Sequence, residues 1–160
     1  MKLLIVHHAP TPNTLALRDA LIAGARDDAI GGVRVLARDP LDTGADDLLA
    51  ADGVLLLTPA NFGYMSGLTK DLFDRTFLQV GGALGENGRG REASGGRKLF
   101  GLCVHGRYDT TGAVRSVLAV VAALPWRQAA PVLSVLGEVS DDDRAQAYEL
   151  GATLAALVGD

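Results

Sequence analysis

A single cysteine, Cys103, stands among 160 residues, which excludes an internal disulfide. It lies inside the apolar run Leu99-Phe100-Gly101-Leu102-Cys103-Val104, where a thiol packs as a small hydrophobe. Long apolar stretches are missing as well. Met1 to Val6 has one lysine and only four consecutive apolar residues before His7-His8, too few for a signal-peptide core or a membrane span. A cytoplasmic protein with no membrane contact is therefore expected. The net charge is −4 and the basic residues are scattered, so no cationic stripe favours nucleic acid. The G-x-S-x-G elbow of serine hydrolases is absent, as are the lysine-bearing end of a P-loop and the G-x-G-x-x-G of a dinucleotide turn. His7, His8 and His105 come with no Cys/His/carboxylate spacing of a structural zinc site, and no metal is expected.

What is present is a 48% hydrophobic chain, long enough for one domain over 1–160 built on a sheet covered on both faces. Five short aliphatic runs, Leu3 to Val6, Val33 to Ala37, Val54 to Leu57, Leu99 to Val104 and Val132 to Leu136, are continuous instead of alternating. That is the pattern of parallel strands buried on both sides. Helical spacing lies between them. Leu17, Leu21 and Ala25 repeat every four residues, as do Leu68 with Leu72 and Phe73 with Phe77. Val114, Val117, Leu118 and Val121 form another one-sided stripe. Asp46 to Asp52 has room for two helical turns at most before Gly53 opens the third strand. A last helix is expected to start at a Ser140 cap, with Asp141, Asp142 and Asp143 in its first turn and Ala147, Leu150, Leu154 and Leu157 facing inward. Strands alternating with helices imply a doubly wound α/β sheet. Gly81 to Arg97 is too rich in glycine and charge to supply a core. It reads as a mobile surface loop that borders the site or a subunit interface.

In a parallel sheet the loops after strands one, three and four meet at one rim, where α/β proteins hold ligands. A signalling receiver would need acidic residues after strands one and three and a lysine after strand five. Those places read His7-His8, Thr58-Pro59 and Gly137-Glu138. The first rim loop, His7 to Thr14, presents the hydroxyls of Thr11 and Thr14, the Asn13 amide and the backbone N–H groups of a helix start, a set able to hold a phosphate without lysine. A structural alternative has Thr11 or Asn13 capping the helix, Pro12 in its first turn and the histidines as ordinary rim residues. The second, Pro59 to Ser66, suits a flat, partly polar heterocycle. Backbone amides of Pro59, Ala60, Asn61 and Gly63 would lie along its edge and Phe62 or Tyr64 would cover a ring face. Ser66 reads as a helix cap, and Lys70, Asp74 and Arg75 as surface or interhelix pairs. In the third, His105 to Gly112, Gly106 permits close backbone approach, Tyr108 packs on a ring, and His105 or Arg107 meets developing negative charge. Against that, a lone histidine at a strand end is more often a hydrogen-bonded structural residue.

Two of these loops carry a family wording. Thr58-Pro59, the aromatic at 64, Ser66-Gly67 and the following Leu68-Thr69-Lys70 and Asp74-Arg75 resemble the flavin-edge loop of the NAD(P)H-dependent FMN reductases and quinone reductases. Ala9-Pro10-Thr11-Pro12-Asn13-Thr14 resembles the flavodoxin phosphate loop T-x-T-G-x-T, with alanine for the first threonine and proline for the glycine. That proline removes an N–H donor and fixes its own backbone angle, so phosphate is not bound in quite the flavodoxin way. His8 matches the histidine that approaches the cofactor phosphate in the quinone reductases.

The resemblance implies a flavodoxin-like three-layer α/β/α sandwich with a five-stranded parallel sheet in the order 2-1-3-4-5. It implies FMN as cofactor, NADH or NADPH as donor, and two-electron transfer to a quinone, flavin or similar small acceptor. Its cofactor contacts would come from His8, Thr11, Asn13, Thr14, the 59–64 loop, His105, Gly106 and Tyr108. FMN carries the hard chemistry, so His105 and Tyr108 are the only candidates for a catalytic side chain. A homodimer or homotetramer is part of the same expectation. The rival from another class is a flavodoxin-like electron carrier without nicotinamide activity.

Overall fold

The computed structural model describes residues 1–81 and 98–160; the 82–97 part of the expected loop lies outside the described residues. The strands are β1 (Lys2–His7), β2 (Arg34–Arg38), β3 (Gly53–Asn61), β4 (Tyr64–Met65), β5 (Lys98–Gly106), β6 (Trp126–Gln128) and β7 (Leu133–Leu136). The helices are α1 (Pro12–Ala25), α2 (Ala45–Ala50), α3 (Gly67–Val80), α4 (Thr111–Val121) and α5 (Asp141–Gly159), with a 3-10 turn at Pro40–Asp42. The sheet order is β2-β1-β3-β5-β6, with β7 also on β5 and β4 on β3. Every ladder is parallel except β3 with β4.

The expected order of five is present, but two short strands share the fifth place. β6 pairs with Lys98–Phe100 and β7 with Cys103–Gly106 along the same edge of β5. Between them runs Ala129-Ala130-Pro131, and a proline cannot donate to a ladder, so the edge is interrupted there. The second departure is β4, which turns the end of β3 into a hairpin.

Alternate residues of the sheet feed two cores. Leu4, Val6, Leu56, Phe100 and Leu102 pack with Leu72, Phe73, Val117 and Val121 on the α2, α3 and α4 side. Leu3, Ile5, Leu55, Leu57 and Cys103 pack with Leu17, Leu21, Leu150 and Leu154 on the α1 and α5 side. Complete burial of such a side chain contributes about 1.5–3 kcal/mol. Cys103 is fully enclosed, and that burial pushes its thiol up to about 12.

The helix starts follow from local chemistry. Ser66 accepts the Thr69 N–H at 3.3 Å, and Ser140 accepts that of Asp143 at 3.1 Å. The Asp143 carboxylate in turn accepts the Ser140 hydroxyl and N–H, which holds it below the usual carboxylate range. Lys70 pairs with Asp74 and Arg75 with Asp71, each one turn apart on α3. Along α5 the inward stripe differs from expectation at its end. Leu157 is 42% exposed, and Val158, four residues after Leu154, takes the buried place.

The α1 and α5 backbones nearly touch. A Cβ on Gly24 would lie 1.9 Å from the Tyr148 carbonyl oxygen, and one on Gly151 would lie 2.1 Å from that of Leu21. That close approach brings the β7–α5 turn beside the start of α1, where the Asn13 Oδ1 accepts the Val139 N–H at 3.0 Å.

Candidate functional site

The β1–β3 ladder stops at His7 and Leu57, and the β3–β5 ladder stops at Pro59 and His105. Beyond these points β1 leads to α1 on one face, while β3 and β5 lead to α3 and α4 on the other. The chain therefore splays at the carboxyl ends of the strands, at the kind of topological switch point where open α/β sheets form a crevice. A cleft of about 450 Å³ opens there. It is lined by Pro10, Thr11 and Asn13 after β1, Pro59 to Asn61 of β3, His105 to Tyr108 after β5, and Gly137 and Glu138 after β7. Its volume is within the roughly 300–1,000 Å³ of small-molecule sites.

Of the residues singled out from sequence, Thr11, Asn13, Pro59, Ala60, Asn61, His105, Gly106 and Tyr108 line this cleft. Thr14 does not. It is completely buried, and it closes a reciprocal cap with Thr11: each backbone N–H is taken by the other residue's hydroxyl, at 3.0 and 3.2 Å. His8 is also outside the lining; its N–H bonds the Leu57 carbonyl at 3.0 Å, and its Nδ1 is buried without a partner among the described residues. Phe62 and Gly63 form the two-residue turn of the β3–β4 hairpin, with φ of 51° and 71°. Both values are positive, as a type I′ hairpin turn requires, which glycine adopts freely and phenylalanine does not. The turn leaves the Phe62 ring fully in solvent. Gly63 and Tyr64 border a second, apolar groove of about 710 Å³ between α3 and α4, flanked by Phe73, Phe77 and Val120.

The second rim segment is thus a hairpin and not the free loop expected, because Ala60 and Asn61 pair with Met65 and Tyr64. Three contacts fasten it. The Met65 N–H donates to Ser116 Oγ at 3.1 Å, and the Ser66 N–H donates to Thr58 Oγ1 at 3.0 Å. Gly112, in the first turn of α4, lies so close that a Cβ would be 2.0 Å from the Gly63 carbonyl oxygen.

His105 Nε2 lies 2.7 Å from the Gly137 carbonyl, an acceptor, which makes Nε2 the donor of that bond. The Arg107 guanidinium sits 5.4 Å from the centre of the Tyr108 ring, and that ring is 82% exposed. Gly137 and Glu138, from the loop after β7, were not identified as site residues from sequence. The signal available was their position: a fifth parallel strand ends at the same rim as the other three. Among the described residues no three His, Cys, Asp or Glu side chains converge as a metal site, and no helix is long and apolar enough to cross a membrane.

No family model matches the sequence. No curated protein matches it either. Solved structures do. A flavodoxin from the domain Archaea is 19% identical and superposes with a TM-score of 0.78 over 100% of both chains. A flavodoxin of Streptococcus pneumoniae TIGR4 is 19% identical, with a TM-score of 0.72 over 98% of this chain and 99% of that one. A WrbA-like protein from Agrobacterium tumefaciens is 17% identical, with a TM-score of 0.66 over 98% and 96%. With helices on both faces of a parallel sheet ordered 2-1-3 at its heart, the chain has the flavodoxin-like fold.

Proposed function

We propose that the cleft binds FMN and that the protein is a cytoplasmic, single-domain NAD(P)H-dependent oxidoreductase passing two electrons to a quinone, flavin or similar small acceptor. The observation that carries this reading is the cleft itself. An opening of about 450 Å³ at the switch point brings the polar Thr11 and Asn13 together with Tyr108 and Arg107. A ligand with a hydroxylated tail and a flat ring matches that lining. When bound, FMN supplies hydride acceptance from reduced nicotinamide and electron release to the acceptor. The chain's own groups position and bias it. The backbone of Pro59 to Asn61 would border the ring, and Tyr108 would cover a face of it. Arg107 would place positive charge beside a ring that gains negative charge on reduction. His105 is held at the cleft by its Nε2 bond to the Gly137 carbonyl.

The one-electron carrier is the second reading. The observation favouring it is the exposed aromatic rim: Phe62 and Tyr108 both stand in solvent, where a protein partner would approach a bound flavin. Titration with FMN, followed by stopped-flow mixing with NADPH and with NADH, separates the readings. Moved flavin absorption peaks and rapid two-electron bleaching are expected. Bound flavin that does not bleach would favour the carrier, and an unchanged free-flavin spectrum at high protein concentration would remove both. Assembly as a homodimer or homotetramer belongs to the same proposal, supported by the apolar α3–α4 groove and by the exposed Leu78 of α3. Light scattering on the purified protein tests it.

A further inference from the structure

The α3–α4 groove of about 710 Å³ begins at the hairpin, where Gly63 and Tyr64 border it, and follows both helices away from the rim. Its two cations, Lys70 and Arg115, lie near the helix starts. Farther along, the lining is Phe77 of α3 with Val120 and Ala123 on and just after α4, side chains without a polar atom. From Gly112 to Val120 the helix covers about 12 Å.

Polar groups beside the hairpin are engaged within the chain. Lys70 Nζ is 2.7 Å from the Asp74 carboxylate. The Ser116 hydroxyl donates to the Ala113 carbonyl at 2.8 Å and accepts the Met65 N–H at 3.1 Å. A nucleotide base, which needs donors and acceptors of its own, is poorly matched by such a lining. A flexible hydrocarbon is well matched.

The groove and the cleft share the β3–β4 hairpin. Asn61 lines the cleft and Gly63 the groove, and Phe62, between them in the chain, stands fully in solvent as an apolar step from one to the other. A ligand with its head in the cleft and its tail in the groove would cross there.

We infer that the α3–α4 groove holds the hydrocarbon tail of the electron acceptor, so that the acceptor class is a prenylated quinone. This rests on the quinone-reducing function proposed above and deepens it by naming the substrate class. The reaction is unchanged: the quinone gains two electrons and two protons to become the quinol, with hydride drawn from reduced nicotinamide and the second proton from water. Leu78 lies outside the groove's lining, so assembly through Leu78 leaves the groove to the tail. Each buried methylene favours binding by about fourfold, so a geranyl tail should be worth about tenfold or more.

Two measurements on the purified chain test this. Calorimetric titration of the flavin-free protein with geraniol, the tail alone, should show saturable binding. Ala119→Glu, which sets a carboxylate in the groove from an exposed position of α4, should weaken it by about tenfold or more. Leu78→Glu should bind as the parent does. With FMN and NADH or NADPH present, menadione carrying a geranyl side chain should exceed menadione in kcat/KM by about tenfold or more. In Ala119→Glu that ratio should fall toward one while menadione turnover is kept. Absent geraniol binding, a smaller ratio in the parent, or a ratio that Ala119→Glu leaves untouched would each overturn the inference, with menadione turnover still supporting the reductase. Geraniol binding that appears only on dilution, as copies separate, would give the groove to a second copy and overturn it too. No menadione turnover with FMN bound would overturn the reductase reading and this inference together.

Discussion

Replacing Gly112 with alanine tests whether the cleft wall is set by a backbone contact. A Cβ at 112 would lie 2.0 Å from the Gly63 carbonyl oxygen, a backbone atom that cannot swing aside as a side-chain tip can. Carbon and oxygen rest no closer than about 3.3 Å, so the hairpin or the start of α4 must move by roughly 1.3 Å. Such overpacking costs about 1–3 kcal/mol. The same movement stretches the Met65 N–H bond to Ser116 Oγ, whose loss adds about 1 kcal/mol. At about 2–4 °C per kcal/mol for a chain of this size, melting should fall by about 5–15 °C. The control is Gly67→Ala, at the first position of α3 in open space, where alanine should leave stability unchanged or improve it. Circular dichroism melts of the three proteins, with and without FMN, give the readout. Because the hairpin carries Pro59 to Asn61 into the cleft, weaker FMN binding should accompany the lower melting point. A Gly112→Ala protein that melts within about 1 °C of the parent would refute the reasoning.

Three further outcomes are expected. Phe62→Asn introduces a residue that tolerates positive φ and removes an unpacked ring, so urea midpoints should show stabilisation of about 0.5–1 kcal/mol; a destabilised variant would show that the ring packs after all. Cys103, buried with its thiol pushed up to about 12, should resist iodoacetamide in the native protein and react once unfolded. Since the folded thiol titrates above its ordinary 9.0, its contribution to stability is complete below that value and is lost as pH climbs toward about 12. His7 titrates below its ordinary 6.5, chiefly through burial and then through Arg18. The unfolded chain therefore takes up its proton first, and stability should fall as pH drops through 6.5. His7→Gln should flatten that part of the urea-midpoint profile between about pH 5 and 8, and a profile as steep as the parent's would discount His7 as its source.

Periodicity and end signals in the sequence by themselves determined the layout. A strand buried on both faces must be apolar throughout, so Leu3 to Val6, Val54 to Leu57 and Leu99 to Val104 stood out. Ser140 with three aspartates behind it marked a helix start that needs no distant partner. The convergence of the loops near 11, 60 and 106 was legible too, since parallel strands all end at one rim. Tertiary structure decided the rest. Whether Thr14 faced a ligand or Thr11 depended on which acceptor the local geometry offered, and the reciprocal cap took it. The hairpin at 62–63 could not be read from an aromatic residue that ordinarily avoids positive φ; pairing of Asn61 with Tyr64 and the Gly112 contact hold it there. Glu138 reached the cleft because β7 pairs with the end of β5 and stops at the same rim. Local propensity acts over a few residues, whereas this rim is joined by a hydrogen bond between residues 126 positions apart.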